Sequence, residues 1–188
     1  VANEAGQVRQ EELDGQRAAR RRTALAQVRQ YGDPVLRMPA REVESFDEDL
    51  QRLAARMTRL MQEANGVGLA ANQVGILQRL VILQPSAEGD PVALVNPRIV
   101  EEGGGVETDD EGCLSLQGVL VPVERSSRVV VEAKDPQGED VRLELEDLGA
   151  RVAQHELDHL DGVLIIDRTT DDARREALSV LRPRIVLT

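Results

Sequence analysis

The feature that most constrains this chain is a change of hydrophobic period partway along it. Leu50, Leu53, Ala54, Met57, Leu60, Met61 and Ala64 recur at the i, i+3, i+4, i+7 spacing of a helix with one apolar face. Ser45 or Asp47 can cap its start, Glu48 and Asp49 suit its first turn, and Asn65-Gly66 ends it. Beyond that point the period becomes that of strands. Short β-branched or aliphatic runs occupy 79–83, 92–95, 98–100, 120–123, 128–132 and 141–145, most of them separated by Gly, Pro or Asp turns. Asp135-Pro136-Gln137-Gly138 is the clearest hairpin turn. A helical pattern returns over 148–160, followed by an expected strand at 163–166 and an expected helix over 171–180. Helix first, strands in the middle and helices afterwards is an α+β order. Short antiparallel and mixed β-sheets packed around a central late helix are therefore expected.

Ahead of this pattern, residues 1–28 form a charged, Arg- and Gln-rich extension. Its Val8, Leu13, Ala18, Leu25 and Val28 are too sparse for a strong stripe, and a helix is expected over about 8–26. Tyr31-Gly32-Asp33-Pro34 is a turn signal that opens the folded part, so 29–188 is expected to be a single domain. The core must be almost wholly aliphatic, because Tyr31 and Phe46 are the only aromatic residues among 188. That weighs against single-stranded nucleic-acid binding, which relies on aromatic platforms. A net charge of −11 weighs against DNA in the same way. Arg17, Arg20, Arg21, Arg22 and Arg29 cluster in the extension; a solvated helix face is the plain reading, a transient ribosome contact the alternative. A lone cysteine, Cys113, rules out an intrachain disulfide, and no run of 18 apolar residues occurs. The chain reads as cytoplasmic, with no membrane partner.

Chemistry concentrates in His155-Glu156-Leu157-Asp158-His159, inside the late helix. Four-residue spacing puts both imidazoles on one helix face, where they can share a metal ion, and Glu156 can act as a general base on water at an open position. These are the only two histidines in the chain. The third ligand separates families. The long HExxH pattern would need a third His at Ile165, which cannot ligate, although Gly162 fits it. Glu176 in the terminal helix would give a zinc endopeptidase, and Cys113 is the remaining option. Its neighbours Glu111, Gly112 and Ser115 favour it: Gly112 permits close backbone approach, and the other two set polar groups beside a thiolate. Cys, His and His leave one position open, as a catalytic centre requires.

Three motifs together resemble the peptide deformylases. They are Gly66-Val67-Gly68-Leu69-Ala70-Ala71-Asn72-Gln73, Glu111-Gly112-Cys113-Leu114-Ser115 and Gln154-His155-Glu156-Leu157-Asp158-His159. The likeness runs over about 30–167 and includes Asn96-Pro97 and Gly162-Val163-Leu164. It implies a deformylase-like α+β fold around the HExxH helix and hydrolysis of the formyl group from the N-terminal formylmethionine of nascent peptides. It further implies that Cys113, His155 and His159 hold one divalent ion, usually Fe²⁺, with Zn²⁺, Ni²⁺ or Co²⁺ able to replace it. Glu156 would be the general base, with the Gln73 amide and the Leu114 backbone N–H meeting the formyl oxygen. Gly66, Val67, Gly68, Leu148 and Val152 would line the methionine pocket, and Glu111 would pair with Arg125 to brace the Cys113 loop. Gln117 departs from a common proline, and Asp109 and Arg151 stand where some members are apolar. A catalytically silent, deformylase-like binding protein is the alternative from another class.

Overall fold

The computed structural model describes the backbone of residues 2–182 and the side chains of residues 14–182. The expectations resting on the Val8 and Leu13 side chains, and on the last six residues of the 29–188 unit, lie outside these residues. The elements in chain order are α1 (Ala2–Leu25), α2 (Glu48–Glu63), β1 (Gly68–Ala70), β2 (Leu80–Leu83), β3 (Val92–Gly112), β4 (Leu120–Lys134), β5 (Asp140–Glu146), α3 (Asp147–Leu160) and α4 (Asp171–Leu181), with 3-10 turns at Pro34–Arg37, Ala71–Val74 and Ile165–Asp167.

Among the described residues the strands form one antiparallel sheet in the order β1-β2-β3-β4-β5. The only parallel pairing among the described residues is an isolated bridge from Arg41 to Gln78. The short runs read from the sequence thus belong to a few longer strands. In β3 the register shifts between Val95 and Arg98, Ile99 and Glu101, and Gly103 and Val106; the first shift takes in Pro97 and the last Gly104 and Gly105. Ladder pairing continues through these shifts, so β3 and β4 make a long hairpin whose closed end carries Cys113.

Side-chain alternation explains why the sheet has helices on both faces. Leu80 and Ile82 of β2 join Met57, Leu60 and Met61 of α2, together with Ala24 and Leu25 at the end of α1 and Val28 just beyond it. Val81 and Leu83 point the other way, onto Ala150, Val152, Ala153 and Leu160 of α3. Burying side chains such as Met57 and Met61 stabilises the fold by about 1.5–3 kcal/mol each. A third aliphatic cluster joins Leu116, Val121 and Val123 to Ile165, Ile166 and Ala177 under the hairpin tip.

Asp47 caps α2 by accepting from Leu50 N at 3.0 Å. At its other end Asn65 adopts φ 56°, and the N–H groups of Asn65 and Gly66 bond the carbonyls of Gln62 and Met61. This Schellman turn swings the chain directly into the Gly66–Gly68 segment. The strand expected at 163–166 is instead a 3-10 turn over Ile165–Asp167. Gly162 at φ 75° reverses the chain, and the Asp167 carboxylate accepts from Leu164 N at 2.9 Å. The apolar run is there because it is buried, and burial alone does not choose a strand. No helix among the described residues is long and apolar enough to cross a membrane.

Candidate metal centre

Three elements supply the site. The hairpin tip between β3 and β4 presents Cys113, α3 presents His155, Glu156 and His159, and the 3-10 turn after β1 presents Gln73. The Cys113 sulfur and one nitrogen from each imidazole all lie within 4.8 Å of one another. The Cys113 Sγ to His159 Nε2 separation is 3.2 Å. Tetrahedral ligation with bonds of about 2.0–2.3 Å needs ligand separations of roughly 3.5 Å, so the cluster fits one small cation. Glu176 is exposed on α4 and takes no part in this group, so it is not the third ligand.

Glu111 is the hub that orients the cluster. It is 5% exposed and receives Arg125 through two nitrogens at 2.9 and 3.1 Å, Arg151 at 2.9 Å and His155 Nδ1 at 3.0 Å. With Nδ1 donating to this carboxylate, His155 turns Nε2 toward the sulfur. Arg125 also reaches Asp158 at 2.6 Å, and Arg168 clasps the same Asp158 from the far side at 2.6 and 3.1 Å. Asn72 donates to the His159 carbonyl. Gln154 pairs with the backbone N–H and C=O of Ser126 at 3.0 and 2.8 Å, fixing α3 against β4.

Electrostatics follow from this packing. Burial works to raise the Glu111 carboxyl, but hydrogen bonds from His155 and Arg125 outweigh it and hold the group at about 2. Burial pulls His155 down, yet its bonds to Cys113 and Glu111 carry it well above the ordinary imidazole value. His159 lies well below that value because burial disfavours its charged form and His155 repels it. The negative surroundings that raise His155 equally favour a cation. Burial, helped by the Glu111 charge, raises Glu156 to about 7. Its Oε2 is buried with no hydrogen-bond partner among the described residues, as are Asn72 Oδ1 and His159 Nδ1.

Gln73 has its amide oxygen occupied by the Ala70 N–H at 2.8 Å. Its nitrogen faces Ser115 Oγ at 3.1 Å and the Cys113 sulfur at 3.6 Å, so its donor side is turned toward the cluster. The site opens into a cavity of about 650 Å³. Gly66, Val67, Gly68, Leu148 and Val152 line it beside Leu114, so the residues named for the methionine pocket are brought together. Leu148 and Val67 stand at its mouth, each 42% exposed, and Val152 lies deeper at 6%. Of the departures, Arg151 bonds Glu111 and the carbonyls of Val123 and Glu107, Gln117 bonds Gln30, and Asp109 is exposed. Sequence reasoning missed the Asp158–Arg168 clasp and the placement of Arg21 on the cavity wall. Arg168 lies just outside the motif that holds Asp158, and Arg21 meets Ala64 only through the fold.

A thiol, two imidazoles and a carboxylate gathered in a cleft on an α+β scaffold define a metal-dependent hydrolase. The model of the polypeptide deformylase family matches residues 25–175. A peptide deformylase of Dictyoglomus thermophilum is 45% identical over 148 residues, covering 79% of this chain and 95% of that protein. The solved peptide deformylase of Thermotoga maritima superposes with a TM-score of 0.73 at 49% identity, covering 76% of this chain and 96% of that one. Arabidopsis thaliana peptide deformylase 1B, solved with an inhibitor, gives 0.77 at 40% identity, covering 82% and 89%. The chain belongs to the peptide deformylase family.

Proposed function

We propose that this peptide deformylase removes formate from the N-terminal formylmethionine of nascent chains through the Cys113–His155–His159 centre, with Glu156 as general base. The observation that carries the reading is the convergence of one sulfur and two imidazole nitrogens within 4.8 Å beside a buried glutamate. Cys113, His155 and His159 would hold a divalent ion, which would supply Lewis acidity and lower the pKa of water in the cleft. Glu156, buried beside the cluster, takes a proton from the attacking water and returns it to the leaving amine as the formyl C–N bond breaks. Formate and a free methionyl amine are the products. The Gln73 amide and the Leu114 N–H receive the charge that develops on the formyl oxygen; losing one such donor typically costs about 10²–10³ in rate. Val67, Leu148 and Val152 hold the methionine side chain, whose flexible thioether suits an aliphatic wall. Thiolate and imidazole ligands suit Fe²⁺, which needs a reducing cytoplasm, and they also accept Zn²⁺, Ni²⁺ or Co²⁺. The reading keeps residues 29–188 as the catalytic unit.

Anaerobic formate release from a formyl-Met peptide tests this reading, with metal content measured alongside. Glu156→Ala should keep bound metal and lose nearly all turnover, whereas Cys113→Ala should lose both. Turnover that survives Glu156→Ala removes the proposed base, and full metal retention in Cys113→Ala removes the ligand set.

A further inference from the structure

The charged extension does not end clear of the site. Ala24, Leu25 and Val28 are buried in the cluster that α2 and β2 share, which fixes the last turn of α1 against the domain. On that turn Arg21 and Leu25 line the same cavity as Cys113, His155 and Glu156. Arg21 Nε donates to the Ala64 carbonyl at 3.2 Å, at the C-terminal end of α2 and one residue before the Asn65–Gly68 wall. That bond orients the guanidinium, and no carboxylate pairs with it among the described residues. The other arginine on the cavity wall, Arg151, is committed to Glu111 and two carbonyls. Arg21 also lies ahead of residues 25–175, the stretch that matches the family model.

We propose that Arg21 is a specificity-determining residue that recognises a carboxylate on the formylated peptide, downstream of its methionine. This rests on the deformylase reading above. A guanidinium tethered through Nε keeps its two terminal nitrogens free for a forked pair of hydrogen bonds to a carboxylate. Acidic Asp110 lines the cavity too, so the preference is confined to the peptide position that reaches Arg21. The carboxylate has two sources, an Asp or Glu side chain or the C-terminus of a short peptide.

The test uses the full-length, metal-loaded enzyme and formate release. Amidated formyl-Met peptides carrying Glu or Gln at the second, third or fourth position probe the side chain. Neutral peptides with a free or amidated C-terminus probe the terminal carboxylate. At one position, or at the free terminus, the wild type should favour the carboxylate-bearing peptide by about two- to fivefold, expressed in KM rather than kcat. Arg21→Gln should bring that ratio to about one, Arg21→Glu should invert it, and Arg21→Lys should restore part of it. General damage to the protein lowers both members of a peptide pair and leaves their ratio alone. Ratios equal in wild type and Arg21→Gln at every position overturn the proposal and leave the deformylase reading standing. A wild type that releases formate from none of the peptides overturns both.

Discussion

Gly68 shows how tightly single residues are matched in this site. A Cβ built there would lie 2.2 Å from Glu156 Oε1 and 2.8 Å from two carbons of the same side chain. The Glu156 carboxylate therefore rests on bare backbone, and Gly68→Ala must push it aside. Glu156 is packed into place at 4% exposure and has little room to retreat. Gly68→Ala should lower kcat/KM at least about 100-fold, the scale expected when a catalytic group is misplaced by about 1 Å, with metal content unchanged. Steady-state kinetics with metal analysis reads both, and near-normal kcat/KM would contradict the packing argument. The two histidines and Glu156 were legible in the sequence because helical spacing is local information. Cys113 was legible through its neighbours Glu111, Gly112 and Ser115, and its joining the histidines is the long-range fact that the fold supplies. Arg21 was not legible, since nothing near it in sequence tells that its helix ends against the cleft.

Between elements, the link that matters most is Arg125, which ties β4 to β3 through Glu111 and to α3 through Asp158. Its side chain is 6% exposed, and both carboxylates it serves are largely buried. Removing one member of a buried ion network typically costs about 3–5 kcal/mol, because the remaining charges lose their partner. Arg125→Met should therefore lower the melting temperature by about 6–20 °C for a domain of this size. Arg151 and Arg168 still serve the two carboxylates, which favours the lower end of that range. A shift below about 2 °C in thermal denaturation would show the network to be energetically idle. The amphipathic α2 was legible to within a few residues, from its apolar spacing and its Asp47 cap. The full reach of β3 was not: most of residues 98–112 are exposed, rich in glycine and acidic side chains, so they carry no apolar alternation. Their strand character comes from pairing with β4, whose Val121 and Val123 do face a core.

For the molecule as a whole, the centre is a clasp between the hairpin tip and α3, elements that rest on different aliphatic clusters. A cation bound there and not by the unfolded chain stabilises the fold by about 2.7 kcal/mol at one hundred times its dissociation constant. Chelation should then lower the melting temperature by about 5–11 °C, and restoring Fe²⁺ or Zn²⁺ should reverse the loss. A melting temperature indifferent to chelation would mean that the clasp holds without the ion. The overall α+β order was legible from the two changes of period alone. How the sheet is shared between α2 on one face and α3 on the other emerged only in three dimensions. The near-absence of aromatics gives that experiment an optical benefit. Tyr31 is the only tyrosine, there is no tryptophan, and the Tyr31 N–H bonds the Ser115 carbonyl while its ring packs on the cluster that Cys113 also touches. Ultraviolet emission from this protein is in effect a single lamp set beside the hairpin tip, so it will register loosening there separately from the helical signal that follows the rest of the fold.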